Sequence, residues 1–408
     1  MSDKTNFMKA HFLLSDGSSK NEVLKKRIIQ YLIISGDSSI ADLSKEIELS
    51  VPTVTKLVME LLEEGYILDS GKQNTSGGRK PNMYGINPVS GYFVGVDVHR
   101  KRVLLATIDF NGKVIDEEAA IDYELVNTKE SLEELCHIIN SYMDNLDIDR
   151  EKILQVGVNL TGRINTRTGY SFSYFCFDEK PLSQIMEEQL DIPVTLENDS
   201  RAMAYGEFIA GAGKGKSNVL FINVNWGLGA GLILDGKLYY GKSGFSGEFG
   251  HISAFDNEII CGCGKKGCLE TEASGFAIQR VLKEYLEQGS TTILSEKIKE
   301  KGEVTLGDFV DAVLKEDVLS IEIVERIGNH LGRWIAGMIN LFNPELVIIG
   351  GPISLTQDYL RLPIRSAVKK YSLNLVNQDT DLVISKLGER AGLIGACLLS
   401  RSKMLGLL

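Results

Sequence analysis

The stretch Gly247-Glu248-Phe249-Gly250-His251, followed by Cys261-Gly262-Cys263-Gly264-Lys265-Lys266-Gly267-Cys268-Leu269-Glu270, is the densest chemical signal in the chain. One imidazole and three thiolates suit tetrahedral zinc. The glycines let the backbone fold tightly enough for His251, Cys261, Cys263 and Cys268 to converge. Four protein ligands leave no open coordination position, so the expected ion is structural, and Lewis-acid catalysis is not expected of it. A reactive thiol pair or a disulfide is the competing reading. Six cysteines in 408 residues are too few for a disulfide scaffold, and the accompanying histidine favours a metal. Folding this loop around an ion would also gather Glu248, His251 and Glu270, and two carboxylates with an imidazole can grip the hydroxyls of a neutral polyol.

Upstream, Leu196-Glu197-Asn198-Asp199 follows an expected buried strand at 193–196 and precedes an expected helix at 201–210. Asn198 offers donors and an acceptor, and Asp199 an acceptor able to serve as a general base. A lone Asn-Asp pair at such a junction reads first as a helix N-cap. Beside the Gly-Glu-x-Gly-His element it reads as part of a ligand set. The surrounding pattern is duplicated. Strands are expected at 92–98, 102–110 and 114–118, the last two joined by the hairpin signal Asn111-Gly112, then a helix at 129–145 and a buried strand at 153–160. The same run of strands returns at 218–224, 229–234 and 237–240, with Asp235-Gly236 at the corresponding turn. Two α/β lobes of this kind lead us to expect a ligand cleft between them.

Residues 1–90 have a different pattern. Apolar residues at Leu24, Ile28, Tyr31 and Leu32 predict a helix over 21–34, stopped by Ser35-Gly36-Asp37. Ile40, Leu43 and Ile47 predict a second over 39–47. Ser50 as N-cap, Pro52 in the first turn, and Val54, Leu57, Val58 and Leu61 at helical spacing predict a third, closed by Gly65. Strand-like pieces at 66–68 and 83–86 flank a glycine-rich, basic stretch at 71–81. Three helices and a hairpin describe a winged helix-turn-helix. A small docking or dimerisation bundle would share this spacing. Double-stranded operator DNA is favoured by the outward face of the third helix, where Thr53, Thr55 and Lys56 follow Pro52 near the positive end of the helix dipole. Arg79 and Lys80 in the wing strengthen it, because an arginine on a glycine-rich loop can enter a narrow minor groove.

Composition bounds the rest. With 43% hydrophobic and 24% charged residues, a chain of 408 is an ordinary globular protein of two or three domains. Residues 1–90 hold 11 Lys+Arg and 11 Asp+Glu, so the net charge of −11 resides in the body. Local clustering of basic groups, not net charge, must then serve any DNA contact. No apolar run approaches the about 20 residues of a membrane helix. The first residues lack the apolar core of a secretory signal, which makes the cytoplasm the expected location.

Taken in order along the chain, Glu197-Asn-Asp-Ser-Arg-Ala-Met-Ala-Tyr-Gly-Glu207, Gly227-Leu-Gly-Ala-Gly231, Gly247-Glu-Phe-Gly-His251, the Cys261/Cys263/Cys268-Leu-Glu270 run, Ile348-Ile-Gly-Gly351 and Arg390-Ala-Gly-Leu-Ile-Gly-Ala396 resemble the ROK family (repressor, open reading frame, kinase). The resemblance is to its branch with an amino-terminal winged helix and covers nearly the whole chain. It implies an α/β, actin-like, duplicated ribonuclease-H-type body of two lobes behind an N-terminal winged helix-turn-helix domain. The expected domains are 1–88 for the winged helix, 89–210 for the first lobe with 390–408 returning to it, and 211–389 for the second lobe with the zinc-binding loop. The resemblance further implies that Asn198, Asp199, Glu248, His251 and Glu270 bind a sugar, that His251 turns its other nitrogen to the zinc, and that Asp199 holds the position of the kinases' catalytic base.

Departures from the kinase pattern separate two functions. Family kinases carry Asp-x-Gly-Gly-Thr after the first strand, where this chain has Asp97-Val98-His99-Arg100-Lys101, and side chains occupy space that phosphates would need. Asn225-Trp226-Gly227 replaces the expected Gly-Thr-Gly, and Thr161-Gly162-Arg163 an expected Pro-Gly loop. ATP is therefore not expected as a cofactor and no catalytic residue is expected. The resulting expectation is a sugar-responsive transcription regulator, a repressor, with a small sugar or amino sugar as effector, acting as a homodimer or homotetramer. The enzyme-class rival is an ATP-dependent sugar kinase with an added DNA-binding domain, in which Asp199 would be catalytic. A regulator controlled by a protein partner is the third reading.

Overall fold

Leu24, Ile28, Ile29 and Leu32 form the buried stripe of helix α1 (Lys20–Ser35), with Tyr31 only half-buried. The structure, a computed structural model, describes residues 19–72 and 81–408. Ser39 starts α2 (Ile40–Ile47) by accepting from the Asp42 amide at 3.2 Å, and Ser50 starts α3 (Val51–Glu63) by accepting from the Thr53 amide at 3.4 Å. Val54, Leu57, Val58 and Leu61 are the residues that α3 buries. A buried lysine ties the bundle together: Lys25 on α1 meets Glu60 and Glu64 at the end of α3, at 2.9 and 2.6 Å. The hairpin pairs β2 (Ile67–Lys72) with β3 (Asn82–Ile86), longer strands than the apolar pattern alone indicates, with a bulge between Asp69 and Gly71. The short β1 (Ser38–Ser39) completes a three-stranded sheet in the order β1-β3-β2. This is a winged helix-turn-helix.

The body contains two five-stranded sheets of one design. In the first, β4 (Tyr92–Val98), β5 (Arg102–Asp109) and β6 (Val114–Asp122) form an antiparallel meander. β7 (Ile153–Leu160) adds in parallel to β4, after helix α4 (Lys129–Asn145). Short strands β8 (Ile164–Asn165) and β9 (Tyr170–Ser171) and helix α5 (Leu182–Leu190) then lead to β10 (Val194–Asn198), giving the order β10-β7-β4-β5-β6. Helix α6 (Asp199–Ala210) leads to the second sheet. There β11 (Val219–Val224), β12 (Leu228–Leu234) and β13 (Lys237–Leu238) form the meander, and β14 (Leu346–Gly350) and β15 (Asp381–Ile384) add in parallel on the other side of β11. Its order, β15-β14-β11-β12-β13, repeats the first. The central strands β4 and β11 are buried along their whole length, which is why they read as unbroken apolar runs and not as alternating ones.

Between β13 and β14 lie helices α7 (Gly275–Glu287), α8 (Ser295–Lys301), α9 (Leu306–Leu314) and α10 (Val318–Phe342). Leu331, Ile335 and Ile339 of α10 join Val347 and Ile349 of β14 and Ile364 of α11 (Asp358–Tyr371) in the second core. A short α12 (Asn374–Gln378) precedes β15, and α13 (Ala391–Leu405) ends the chain. The chain divides into two compact units, the winged helix falling in the first. The first comprises the described residues up to Gly162 with Thr168–Glu197 and Ala396–Leu408, the second Arg163–Arg167 with Asn198–Gly395. Within the first, the later part of α13 packs on the sheet: Cys397 Sγ donates to Ala106 O at 3.5 Å and Arg401 Nε to Phe110 O at 2.8 Å. The Gln30 side-chain amide of α1 then donates to Leu405 O and Gly406 O, at 2.7 and 3.0 Å, so the winged helix caps the last carbonyls of α13. Among the described residues no helix is long and apolar enough to cross a membrane.

Candidate functional site

Gly247 sets the geometry of the second unit's polar centre. Its φ is +89°, and a Cβ there would lie 2.0 Å from Ala230 O, so only glycine lets the chain lie against β12 at this point. Its carbonyl accepts the Ala230 amide at 2.9 Å. The turn Phe249–His251 that follows presents Glu248 and His251 together, with His251 Nε2 3.7 Å from Glu248 Oε2. The other ring nitrogen, Nδ1, lies 3.6 Å from Cys261 Sγ.

The three cysteines meet that imidazole. Ser253 bridges Cys268 and Ile260 bridges Lys266, folding the intervening loop back on itself. Gly267, at φ +70°, allows its carbonyl to accept from both Ala254 and Phe255, at 2.7 and 3.0 Å. Ligand atoms of His251, Cys261, Cys263 and Cys268 all lie within 4.8 Å of one another. A tetrahedral zinc with bonds of about 2.3 Å to sulfur and about 2.0 Å to nitrogen requires S···S of about 3.8 Å and S···N of about 3.5 Å. Cys263 and Cys268 sulfurs are 3.6 Å apart, matching the Cys261–His251 separation of 3.6 Å, so the donor set fits such an ion. Burial pushes the Cys261 and Cys268 thiols up from their ordinary values. At Cys263 burial is outweighed by the Lys265 amide and the two neighbouring thiols, and its thiol is held down.

Glu270 stands beside this cluster in the short turn Leu269–Thr271. Its Oε1 receives Cys261 Sγ at 3.4 Å and its Oε2 accepts the Leu228 amide at 2.9 Å, which fixes the carboxylate to the start of β12. Asn198 and Asp199 occupy the N-terminus of α6. Asn198 Oδ1 accepts the Arg201 amide at 3.2 Å, so the N-cap reading set aside in the sequence pattern holds structurally, and it leaves Nδ2 to donate to Asp199 Oδ1 at 2.9 Å. The same oxygen of Asp199 also accepts from Ser200 N at 2.7 Å and Ser200 Oγ at 3.2 Å. Ser200 Oγ in turn accepts from Asn223 Nδ2 at 3.1 Å. His251 and Glu270 thus meet the Cys261 thiol, and Glu248 stands beside His251. Asn198 and Asp199 are tied to that region through Arg201, whose guanidinium reaches the carbonyl of Ser246 at 3.3 Å.

Sequence reasoning missed Arg201, Ser200 and Asn223. The available signal was an arginine followed directly by the small or apolar run Ala202, Met203 and Ala204.

At the turn after β4, His99 Nε2 lies 3.1 Å from Asp97 Oδ2, with the Asp97 side chain 5% exposed. In the other unit, the first two amides of α7 donate to the 225–226 turn, Gly275 N to Asn225 O at 2.8 Å and Phe276 N to Trp226 O at 3.1 Å. On the winged helix, Pro52, Thr53 and Lys56 are exposed and Thr55 half-exposed. Thr53 Oγ1 is 2.8 Å from Ser50 Oγ and Thr55 Oγ1 donates to Val51 O at 2.8 Å. Arg79 and Lys80 lie outside the described residues.

With this geometry in place, comparison with known proteins is specific. The chain matches the ROK family over residues 93–403 and a winged helix-turn-helix DNA-binding family over residues 23–67. The xylose repressor of Caldicellulosiruptor bescii is 29% identical over 395 residues, 94% of this chain and 98% of that protein. The glucokinase of Halalkalibacterium halodurans is 31% identical over 314 residues, 74% of this chain and 93% of that protein. A solved structure of a ROK family transcriptional regulator, a homologue of the E. coli MLC protein, has a TM-score of 0.78 and 28% identity, covering 95% of this chain and 97% of that one.

Proposed function

The chain belongs to the ROK family, and from that premise we propose that it is a sugar-responsive, DNA-binding transcriptional repressor built on a sugar-kinase scaffold. The observation that carries this reading is the winged helix-turn-helix joined to such a body, in a chain similar along 94% of its length to a xylose repressor. Thr53, Thr55 and Lys56, beside Pro52, would meet operator DNA from α3, and Arg79 and Lys80 from the wing. Asn198, Asp199, Glu248, His251 and Glu270 would hold the hydroxyls of a small sugar or amino sugar. The effector acts through unequal affinity for the DNA-competent and incompetent arrangements of a homodimer or homotetramer, in the cytoplasm.

Zinc is the ion we assign to His251, Cys261, Cys263 and Cys268, where it supplies closure of the loop. The imidazole then works in two directions, Nδ1 toward the thiols and Nε2 toward Glu248, so loop closure and the orientation of a sugar-facing group are one event.

A kinase is the second reading, favoured by Asp199 and by the glucokinase relative. Against it stand the departures from the kinase pattern at Asp97-Val98-His99-Arg100-Lys101, where His99 lies against Asp97, and at Asn225-Trp226-Gly227. Calorimetry with a sugar that raises the melting temperature, run beside a coupled ADP-release assay, separates the two. Sugar binding without ADP release is expected. Replacing Asp199 or Glu270 by Ala should weaken sugar binding by about one to two orders of magnitude, since hydrogen bonds to charged acceptors contribute roughly 1.5–3 kcal/mol each. Sugar-dependent ADP release that disappears in Asp199→Asn would restore the kinase.

A further inference from the structure

Arg201 is among the largest fully enclosed side chains of the described residues, at 2% exposure. It lies in the first turn of α6, two residues after Asp199. A guanidinium removed from water is costly unless its surroundings reward it. A methionine or leucine would fill the same space without that penalty, so what the charge holds identifies its use. Nη1 donates to Ser246 O at 3.3 Å and Nη2 to Ile164 O at 3.4 Å. The guanidinium carbon lies 5.8 Å from the centre of the Tyr240 ring. One planar fork therefore clasps carbonyls from two chain segments and rests on an aromatic from the same turn as the first. A lysine ammonium is a single point charge and cannot span both carbonyls in one plane.

The segment it clasps leads straight into the polar centre. Ser246 N donates to Tyr240 O at 3.2 Å, and Ser246 Oγ to Tyr239 O, which makes residues 239–246 a closed turn. Gly247 comes next, pinned on β12 through the Ala230 amide, and then Glu248. The backbone of Arg201 simultaneously closes the N-cap made by Asn198. Main chain and side chain of one residue thus address both halves of the ligand set, Asn198 and Asp199 on α6 and Glu248 and His251 beyond Ser246.

We propose that Arg201 is a positioning residue that holds the 239–247 turn against α6 and thereby sets the place of Glu248 relative to Asn198 and Asp199. This rests on the reading of those residues as the sugar-binding set. The proposal also explains why the turn can carry three glycines, Gly241, Gly244 and Gly247, all at positive φ, and still present a defined carboxylate: its rigidity comes from outside the turn.

The test uses the full-length protein, with Arg201→Met keeping length and volume and Arg201→Lys keeping charge. Two arms are read. In the first, without sugar, hydrogen exchange at residues 244–251 should quicken at least tenfold in Arg201→Met and less in Arg201→Lys, while α10 amides keep their protection. In the second, titrations with D-xylose, D-glucose and N-acetylglucosamine should show affinity for the parent's best sugar reduced at least tenfold in Arg201→Met and partly rescued in Arg201→Lys. Glu248→Gln added to Arg201→Met should then cost no more than about threefold further, because both act through the same carboxylate. Unchanged exchange at 244–251 would overturn the proposal, as would full additivity of the two substitutions. If Arg201→Met does not fold, Arg201→Lys decides, and parent-like exchange and affinity in it overturn the fork requirement. A parent that binds none of the three sugars would count against the sugar-site reading, while the exchange arm still decides on Arg201.

Discussion

Replacing Cys263 by Ser isolates what the metal site contributes. The segment from Ile252 to Lys266 has little core of its own, with Cys261 alone fully buried and most other residues exposed or half-exposed. Its backbone is held by a few local bonds, such as Cys261 N to Lys265 O and Gly264 N to Cys261 O, both at 2.8 Å. Closure of a loop of about 15 residues by a cross-link is worth roughly 3 kcal/mol, and an ion gripping His251 and Cys268 at the two ends imposes the same restriction. For a unit of about 200 residues, 1 kcal/mol corresponds to roughly 2–4 °C, so loss of the ion should lower melting of the second unit by about 6–12 °C. Protein purified without added metal should contain one equivalent of zinc per chain by elemental analysis. Scanning calorimetry of parent and Cys263→Ser, each with and without a strong chelator, then completes the test. The chelator should shift the parent and leave the variant nearly unmoved. A variant that melts within about 1 °C of the parent, or a parent with less than about a tenth of an equivalent of zinc, would refute the assignment.

Two further outcomes are expected. Thr53→Ala with Lys56→Ala should weaken binding to a DNA fragment selected from a random library by the parent, and loss of the Lys56 charge should reduce the salt slope by about one unit; an unchanged slope would remove Lys56 from the interface. Burial pushes the Cys136 and Cys397 thiols up to about 12, so they stay neutral in the fold while the unfolded thiols ionise from about pH 9. Being raised, they contribute stability that is complete below about pH 8.5 and lost toward pH 12, roughly 1–1.5 kcal/mol per thiol by pH 10. Urea midpoints at pH 8 and pH 10 in reducing buffer should show that loss, and Cys397→Ala should lose less over the same interval. An equal drop in both proteins would contradict it.

The duplicated body was readable because its centre is made of unbroken apolar strands and its hairpins carry Asn111-Gly112 and Asp235-Gly236. Strand ends were less readable. β6 runs to Asp122 at a sheet edge through residues of low strand propensity: Glu117 and Glu118 pair with β5, Ala119 and Ala120 fall at a register shift, and pairing resumes at Ile121, so backbone hydrogen bonds and not side-chain burial set the length. On α1 the buried stripe takes in Ile29 and leaves Tyr31 half-buried, and Lys25 is buried with it, paired with Glu60 and Glu64.

At the site, residue types with strong mutual geometry were legible and residues acting through others were not. Three cysteines and a histidine among glycines admit few arrangements, and their convergence follows from spacing. Asn198 was harder, because capping and ligand binding look like rival uses of one side chain. The structure separates them by atom: Oδ1 caps through the Arg201 amide, while Nδ2 holds Asp199. Asp199 Oδ1 therefore already carries three donors before any ligand arrives, from Asn198 Nδ2, Ser200 N and Ser200 Oγ. A carboxylate oxygen so occupied is oriented as a fixed acceptor, which is the role the proposed sugar site asks of it. The proposed sensor reading therefore asks of Asp199 a held acceptor, and the three donors on its Oδ1 come from its own helix start, so this orientation is built into the N-terminus of α6.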